Sequence, residues 1–228
     1  MTTLVDSAVA KRWDKTFVTG ADKRYPSLDL VRLELWYFSH KPGRVLEYGF
    51  GSGVNAIHLA ECGYDVDAID AALEAKKLVE RKLVRQSDLR DCVRLKHLSA
   101  EAKRLPYEDD IFDYVVAMSV LSLLSSRERI RKVLGELRRV LKPGGKIIVD
   151  INSAQSQFAI DGVHIGGDVY ENRGRAGDED PVHCYCPSKV ESFLELVEPF
   201  FVVDDVGYSG HRYMNNAIHE YIVCARKA

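Results

Sequence analysis

Between residues 44 and 151 this chain alternates short β-rich runs with helical stretches, and that rhythm constrains the fold more than any other feature. Residues 44–47 (RVLE), 66–69, 93–97, 114–118 (YVVAM) and 146–151 have the length and composition of strands. Residues 55–62, 72–86 and 127–141 read as helices, the last with Ile130, Val133, Leu134, Leu137, Val140 and Leu141 on one stripe. Gly63 ends the first helix as a C′ residue, and Pro143-Gly144-Gly145 stops the third. Strands joined through helices pair in parallel, because the crossover returns the chain to the same end of the sheet. The run 114–118 is apolar throughout and has no face suited to water, as in a strand covered on both sides.

The flanks break this rhythm. Residues 28–38 predict a helix rich in Leu, Trp and Phe, preceded by Tyr25-Pro26-Ser27. Residues 161–185, rich in glycine and charge, predict a long loop or lid, since connections of that length tend to be functional. Residues 187–197 resume as a helix with proline in its first turn. Two closing strands follow at 201–206 and 220–225. The expected fold is α/β: a doubly wound, mostly parallel seven-stranded sheet with helices on both faces and a C-terminal antiparallel strand pair. We expect a single domain, divided into an N-terminal lid segment (1–43), a cofactor-binding core (44–152) and a substrate-side region (153–228).

Composition narrows the function. A chain of 228 residues with 46% hydrophobic and 29% charged residues is ordinary for a globular protein. The net charge is −2 with no basic block, which argues against nucleic acid and anionic membrane surfaces as partners. No apolar run reaches the ~20 residues that span a bilayer, and residues 1–6 lack a signal-sequence pattern. Five cysteines without framework spacing read as reduced thiols, so the expected compartment is the cytoplasm.

The first βα turn is Glu47-Tyr48-Gly49-Phe50-Gly51-Ser52-Gly53. Glycines there admit positive φ and let a ligand approach the backbone, with a helix N-terminus beyond. A plain tight turn explains the same residues, and so does a nicotinamide-binding fingerprint ending at Ala56. The second strand ends at Asp70, where a carboxylate suits both ribose hydroxyls of an adenosine. An aspartate before Ala71-Ala72-Leu73 also suits a helix N-cap, and one residue can do both.

Four segments taken together resemble the class I S-adenosylmethionine methyltransferases. Val45-Leu46-Glu47-x-Gly49-x-Gly51-x-Gly53 is similar to that family's first motif, and Asp70 matches its ribose-binding acid. Glu101-Ala102-Lys103-Arg104-Leu105-Pro106-Tyr107, followed by Phe112-Asp113-Tyr114-Val115-Val116, resembles its D-A-x-x-L-P-F and F-D-x-V-V segments. Arg138-Arg139-Val140-Leu141-Lys142-Pro143-Gly144-Gly145 is similar to its approach to strand five. The resemblance implies S-adenosylmethionine as cofactor, with S-adenosylhomocysteine as product. It implies Glu47 beside the methionine end, Gly49, Gly51 and Gly53 beneath it, and Asp70 with Ala71 at the ribose. Glu101 and the Ala102 backbone then face the adenine, or Ser99-Ala100 in another register, and Met118 and Ser119 lie near the methyl. The implied activity is methyl transfer to an O, N or C atom of a small-molecule acceptor. A nicotinamide-dependent oxidoreductase and a non-catalytic S-adenosylmethionine-binding regulator are the competing readings, and a protein acceptor also stays open.

Methyl transfer needs a general base only where the acceptor must lose a proton. Tyr25 and His183 are the candidate catalytic side chains, although surface or loop packing is the better reading of each taken singly. Tyr170, Arg173, His211 and Tyr213 lie in the same irregular regions. His183-Cys184-Tyr185-Cys186 lacks a fourth ligand for a closed zinc site, so no metal is expected.

Overall fold

The computed structural model describes residues 2–173, 181–214 and 216–228. The chain runs α1 (Ser7–Val18), α2 (Leu28–Leu33) continuing into a π-helical turn (Glu34–Phe38), β1 (Arg44–Tyr48), α3 (Val54–Glu61), β2 (Asp65–Asp70), α4 (Leu73–Val84) and β3 (Val93–His97). It continues through β4 (Phe112–Ala117), a 3-10 turn (Leu121–Leu124), α5 (Arg127–Val140), β5 (Leu141–Asn152) and the short α6 (Gln157–Ile160). The remainder comprises β6 (Val163–Gly166), β7 (Val169–Asn172), β8 (Val182–Tyr185), α7 (Val190–Val197), β9 (Val202–Tyr213) and β10 (Asn216–Arg226).

Seven strands form one sheet in the order β3-β2-β1-β4-β5-β10-β9. The first five are parallel, with Tyr48 beside Ile69, Glu47 beside Val116 and Val116 beside Ile148. β10 then inserts antiparallel between β5 and β9. The strand order reverses between β1 and β4, the place where doubly wound sheets open a crevice at their carboxyl ends. Each face has its own core. Leu46, Val115, Ile147 and Val149 pack with α5 and α7 on one side. Val45, Val116 and Ile148 pack with α3, α4 and Phe38 on the other.

The expected loop at 161–185 is corrected by the structure: β6, β7 and β8 form a second, three-stranded antiparallel sheet. The glycines that suggested a loop make its hairpin, with Gly166, Gly167 and Asp168 all at positive φ. Residues 174–180 of that segment lie outside the described residues. The helix α1 is a second departure from the sequence reading, which took the N-terminal helix to begin at Leu28. Asp6 caps α1, accepting from the Ala8 and Val9 N–H groups. Val9, Trp13 and Phe17, spaced four apart, form its inner stripe.

Helix α4 has Ala72 at its N-cap, and alanine offers no capping side chain. Asp14 of α1 supplies the cap, its Oδ1 accepting the Glu74 N–H at 2.9 Å. We expect Asp14→Ala to lower unfolding free energy by about 1 kcal/mol, the usual cost of a lost cap, read by urea denaturation.

Candidate functional site

Every parallel strand of the core delivers its carboxyl end to one rim, where a cavity of about 560 Å³ opens. Its floor is the glycine turn, Asp70 to Ala72, Leu98, and Met118 to Val120. Its roof is the inner stripe of α1 with the segment from Ala21 to Ser27. The floor is laced across strands. The Gly49 N–H donates to Ile69 O at 2.8 Å, and the Leu98 N–H donates to Asp70 O at 2.8 Å. Asp70 adds a side-chain clasp: its Oδ2 accepts the Gly51 N–H and its Oδ1 the Ala72 N–H, both at 2.8 Å. An ionised carboxylate has about four acceptor positions, so roughly two remain for a ligand.

The three glycines have different reasons to be glycine. Gly49 (φ +81°) would drive a Cβ to 2.6 Å from Val120 Cγ2, and Gly53 (φ +74°) to 2.4 Å from Val79 Cγ2 on α4. At Gly51 (φ +51°) the nearest atom is Phe17 Cζ at 3.7 Å, so of the three only this position leaves open space on its Cβ side, toward the cavity. Gly49 and Gly53 serve close packing, and Gly51 leaves room for a ligand.

Glu47 lies beneath this floor, 2% exposed. Asn55 and the Ala56 N–H donate to its carboxylate, yet Oε2 has no partner among the described residues. Burial, reinforced by the nearby Asp70 charge, pushes its pKa up to about 8. Asp70 is also raised by burial, with its backbone hydrogen bonds opposing the shift.

Polar side chains fasten the roof to the floor. Asn55 Oδ1 accepts the Ser27 N–H at 2.9 Å. Lys82 of α4 donates to Ser52 O at 2.8 Å and Lys23 O at 3.2 Å, and pairs with Asp22.

Of the residues singled out from sequence, Tyr25, Gly49, Gly51, Asp70, Ala71, Met118 and Ser119 line this cavity. Tyr25 stands on the rim, 80% exposed. Gly53 and Glu47 lie behind the wall rather than in it. Glu101 and Ala102 are elsewhere. The Glu101 carboxylate is exposed and bonded by Ser99, while the Ala102 N–H donates to Ser99 O at 3.0 Å. Leu98 is what the β3 exit places in the wall. His183 sits half-exposed on β8, 3.8 Å from Glu171, outside the cavity lining. His211 and Tyr213 are exposed on β9.

Sequence reasoning missed Trp13, Phe17 and Lys23, though the spacing of Val9, Trp13 and Phe17 after Asp6 carried the signal for a helix. It also missed Asp150 and Glu220, which meet only across the β5–β10 pairing. Among the described residues, Glu34, His58 and Cys62 approach within 4.8 Å, away from this cavity. Glu34 Oε1 already accepts Tyr64 OH at 2.8 Å and bonds His40 Nδ1 at 2.6 Å.

Residues 46–149 match a family model described as a methyltransferase domain. The chain is 34% identical over 109 residues to a demethylmenaquinone methyltransferase of Renibacterium salmoninarum, covering 47% of this chain and 41% of that protein. It is 33% identical over 123 residues to a cypemycin N-terminal methyltransferase of a Streptomyces species, covering 52% and 46%. The matched stretch thus spans less than half of either relative. A solved Burkholderia thailandensis 1,6-didemethyltoxoflavin-N1-methyltransferase, with 1,6-didemethyltoxoflavin and S-adenosylhomocysteine bound, superposes with a TM-score of 0.70. That likeness, at 17% identity over 97% of this chain and 88% of the other, is one of fold.

Two measurements follow from this geometry. The folded protein holds a proton on Glu47 that the unfolded chain releases, so this contribution is complete below about pH 4.5 and lost as pH rises to about 8. Asp70 is raised in the same sense. The thermal midpoint of the ligand-free protein should fall between pH 5 and 8 by differential scanning fluorimetry, and Glu47→Gln should flatten the fall. Gly53→Ala should destabilise the fold more than Gly51→Ala, because only the former would clash with a neighbouring side chain, and chemical denaturation of the two variants compares them.

Proposed function

We propose that the chain is a class I S-adenosylmethionine-dependent methyltransferase and that it transfers a methyl group to a small-molecule acceptor. The observation that carries this reading is the Asp70–Gly51 clasp at the floor of a roofed cavity, beside the glycine left open to a ligand.

The residues present fit the cofactor. S-adenosylmethionine brings two cationic groups, an ammonium and a sulfonium, and the site offers carboxyl oxygens with unfilled positions. Glu47 Oε2 lacks a partner among the described residues, and Asp70 retains acceptor capacity beyond its bonds to the Gly51 and Ala72 N–H groups. In this reading Asp70 holds the ribose hydroxyls, Gly49 to Ser52 underlie the methionine end, and Leu98 packs against the adenine. Ala71 adjoins the ribose, while Met118 and Ser119 border the methyl. The bound cofactor supplies an already activated methyl group.

The protein's own part is alignment and exclusion of water. Trp13 and Phe17 of α1 cover the crevice with apolar surface, their rings 5.7 Å apart. Asn55 and Lys82 fix the segment from Asp22 to Ser27 over the site. Tyr25 stands on the rim, where its hydroxyl can orient an acceptor. A cavity shared with the cofactor leaves space for a compact acceptor, which supports a small molecule over nucleic acid. The five unpaired cysteines support a cytoplasmic setting, and no helix among the described residues is long and apolar enough to cross a membrane.

Isothermal titration with S-adenosylmethionine, S-adenosylhomocysteine and NAD(P)H tests the reading. Binding of the sulfur nucleotides alone supports it, and binding of NAD(P)H alone overturns it. Asp70→Ala should weaken S-adenosylhomocysteine binding by about 10- to 100-fold, the worth of hydrogen bonds to a charged acceptor. Unchanged affinity in a folded variant would remove Asp70 from the ribose.

A further inference from the structure

We propose that the methyl acceptor is an amine, and that its nitrogen is held by the carboxylate pair Asp150 and Glu220. The proposal rests on the methyltransferase reading and assigns the acceptor's chemistry within it.

The pair is built by the antiparallel insertion of β10 beside β5. Asp150 lies opposite Ile222 and Glu220 opposite Asn152, so both carboxylates project from one face as diagonal cross-strand neighbours. Like charges so placed repel, and that arrangement persists only where something offsets it. Ser119 joins the pair to the cavity. It lies in the cavity wall, donates its N–H to Asp150 Oδ1 at 2.6 Å, and donates its hydroxyl to Glu220 Oε1 at 3.4 Å. Ser119 holds φ +57°, a left-handed conformation unfavourable for a serine, and in it both donors reach the pair.

A second observation points to a missing cationic partner. Asp150 is 0% exposed, and its Oδ2 has no hydrogen-bond partner among the described residues. A buried carboxylate oxygen in this state calls for a donor. Lys23, from the roof segment, influences both carboxylates favourably but pairs with neither. Asp29 on α2 opposes ionisation of both, and His211 on β9 favours that of Glu220. Burial dominates for each, so the two carboxyls together retain a proton more readily than ordinary acids.

The cofactor's own ammonium does not account for this pair. Glu47 on β1, whose Oε2 has no partner among the described residues, is the carboxyl group beneath the glycine turn. Asp150 lies two strands away across β4, roughly 10 Å at ordinary strand spacing. Met118 and Ser119, between them at the end of β4, border the position of the methyl.

The chemistry balances with these groups. An acceptor R–NH3+ gives one proton to the carboxylate pair and becomes R–NH2. The nitrogen lone pair then forms the N–C bond as the S–C bond breaks, its electrons staying on sulfur. The products are a neutral thioether and R–NH2–CH3+, and the proton leaves the pair to solvent. An alcohol of the same shape offers no cation for the pair.

The test is calorimetric titration of the S-adenosylhomocysteine-saturated protein with matched pairs, phenethylamine against 2-phenylethanol and hexylamine against hexanol. A tripeptide with a free N-terminus forms a further arm. Amines should bind at least about 10-fold more tightly than their alcohols, as expected for charge-assisted hydrogen bonds. In Asp150→Asn and in Glu220→Gln that preference should collapse, with circular dichroism reporting the fold. Glu220, only half-buried, gives a variant less prone to misfolding. Preferential binding of the tripeptide would place the amine on a peptide. Equal binding of amine and alcohol, binding of neither, or a preference that survives both substitutions overturns the proposal. Failure of S-adenosylhomocysteine itself to bind is a separate result, and it would overturn the methyltransferase reading along with its amine.

Discussion

The Asp70 carboxylate is the contact on which the site depends. β1 and β2 are adjacent, with Tyr48 beside Ile69, so the chains leaving them emerge roughly 5 Å apart. Asp70 joins those exits by accepting from Gly51 on one and Ala72 on the other. The turn can then present an uncovered backbone at Gly51 without collapsing onto the sheet. Burial raises the cost of ionising Asp70, and backbone donors, Ala72 and Gly51 foremost, offset part of it. The same group therefore organises the apo site and retains lone pairs for a ligand.

A doubly wound sheet supplies the crevice, and the N-terminal segment closes it. Helix α1 is fastened at three chemically different points: Asp14 caps α4, Trp13 and Phe17 cover the cavity, and Asp6 pairs with Arg129 at 2.9 Å. The following segment is held by Asn55, from the helix after the glycine turn, and by Lys82 of α4, which also donates to Ser52 O in that turn. Roof and floor thus share their anchors, and a change in the turn is felt in the cover. The acids behind the floor and beside it on β5 and β10 are all raised by burial.

Much of this was legible before any coordinates. The β/α alternation led to the parallel core because each helix is a crossover, and the seven-strand sheet followed. The segment 161–185 was read as a loop because Gly166 and Gly167 carry no periodicity. Strand pairing, not pattern, made it a small sheet. Helix α1 gives a weak signal because its inner residues Val9, Trp13 and Phe17 are separated by Lys, Arg, Asp and Thr, a thin stripe next to the longer apolar run at 28–38. Glu101 illustrates the opposite limit: its spacing suits a motif, yet the chain after β3 turns so that Leu98 meets the cavity.

What the sequence by itself determined is local and periodic. It specified strands, crossovers, the glycine turn and the carboxylate after β2, because φ preferences and hydrophobic spacing act over a few residues. Only the tertiary structure decided which glycine opens to a ligand, since that depends on Val79 and Val120 arriving from other elements. Only it brought Asp150 to Glu220, seventy residues along the chain, through the register of an antiparallel strand inserted late. Contacts between distant segments follow from how faces pack and strands align, and no short stretch of sequence carries that information.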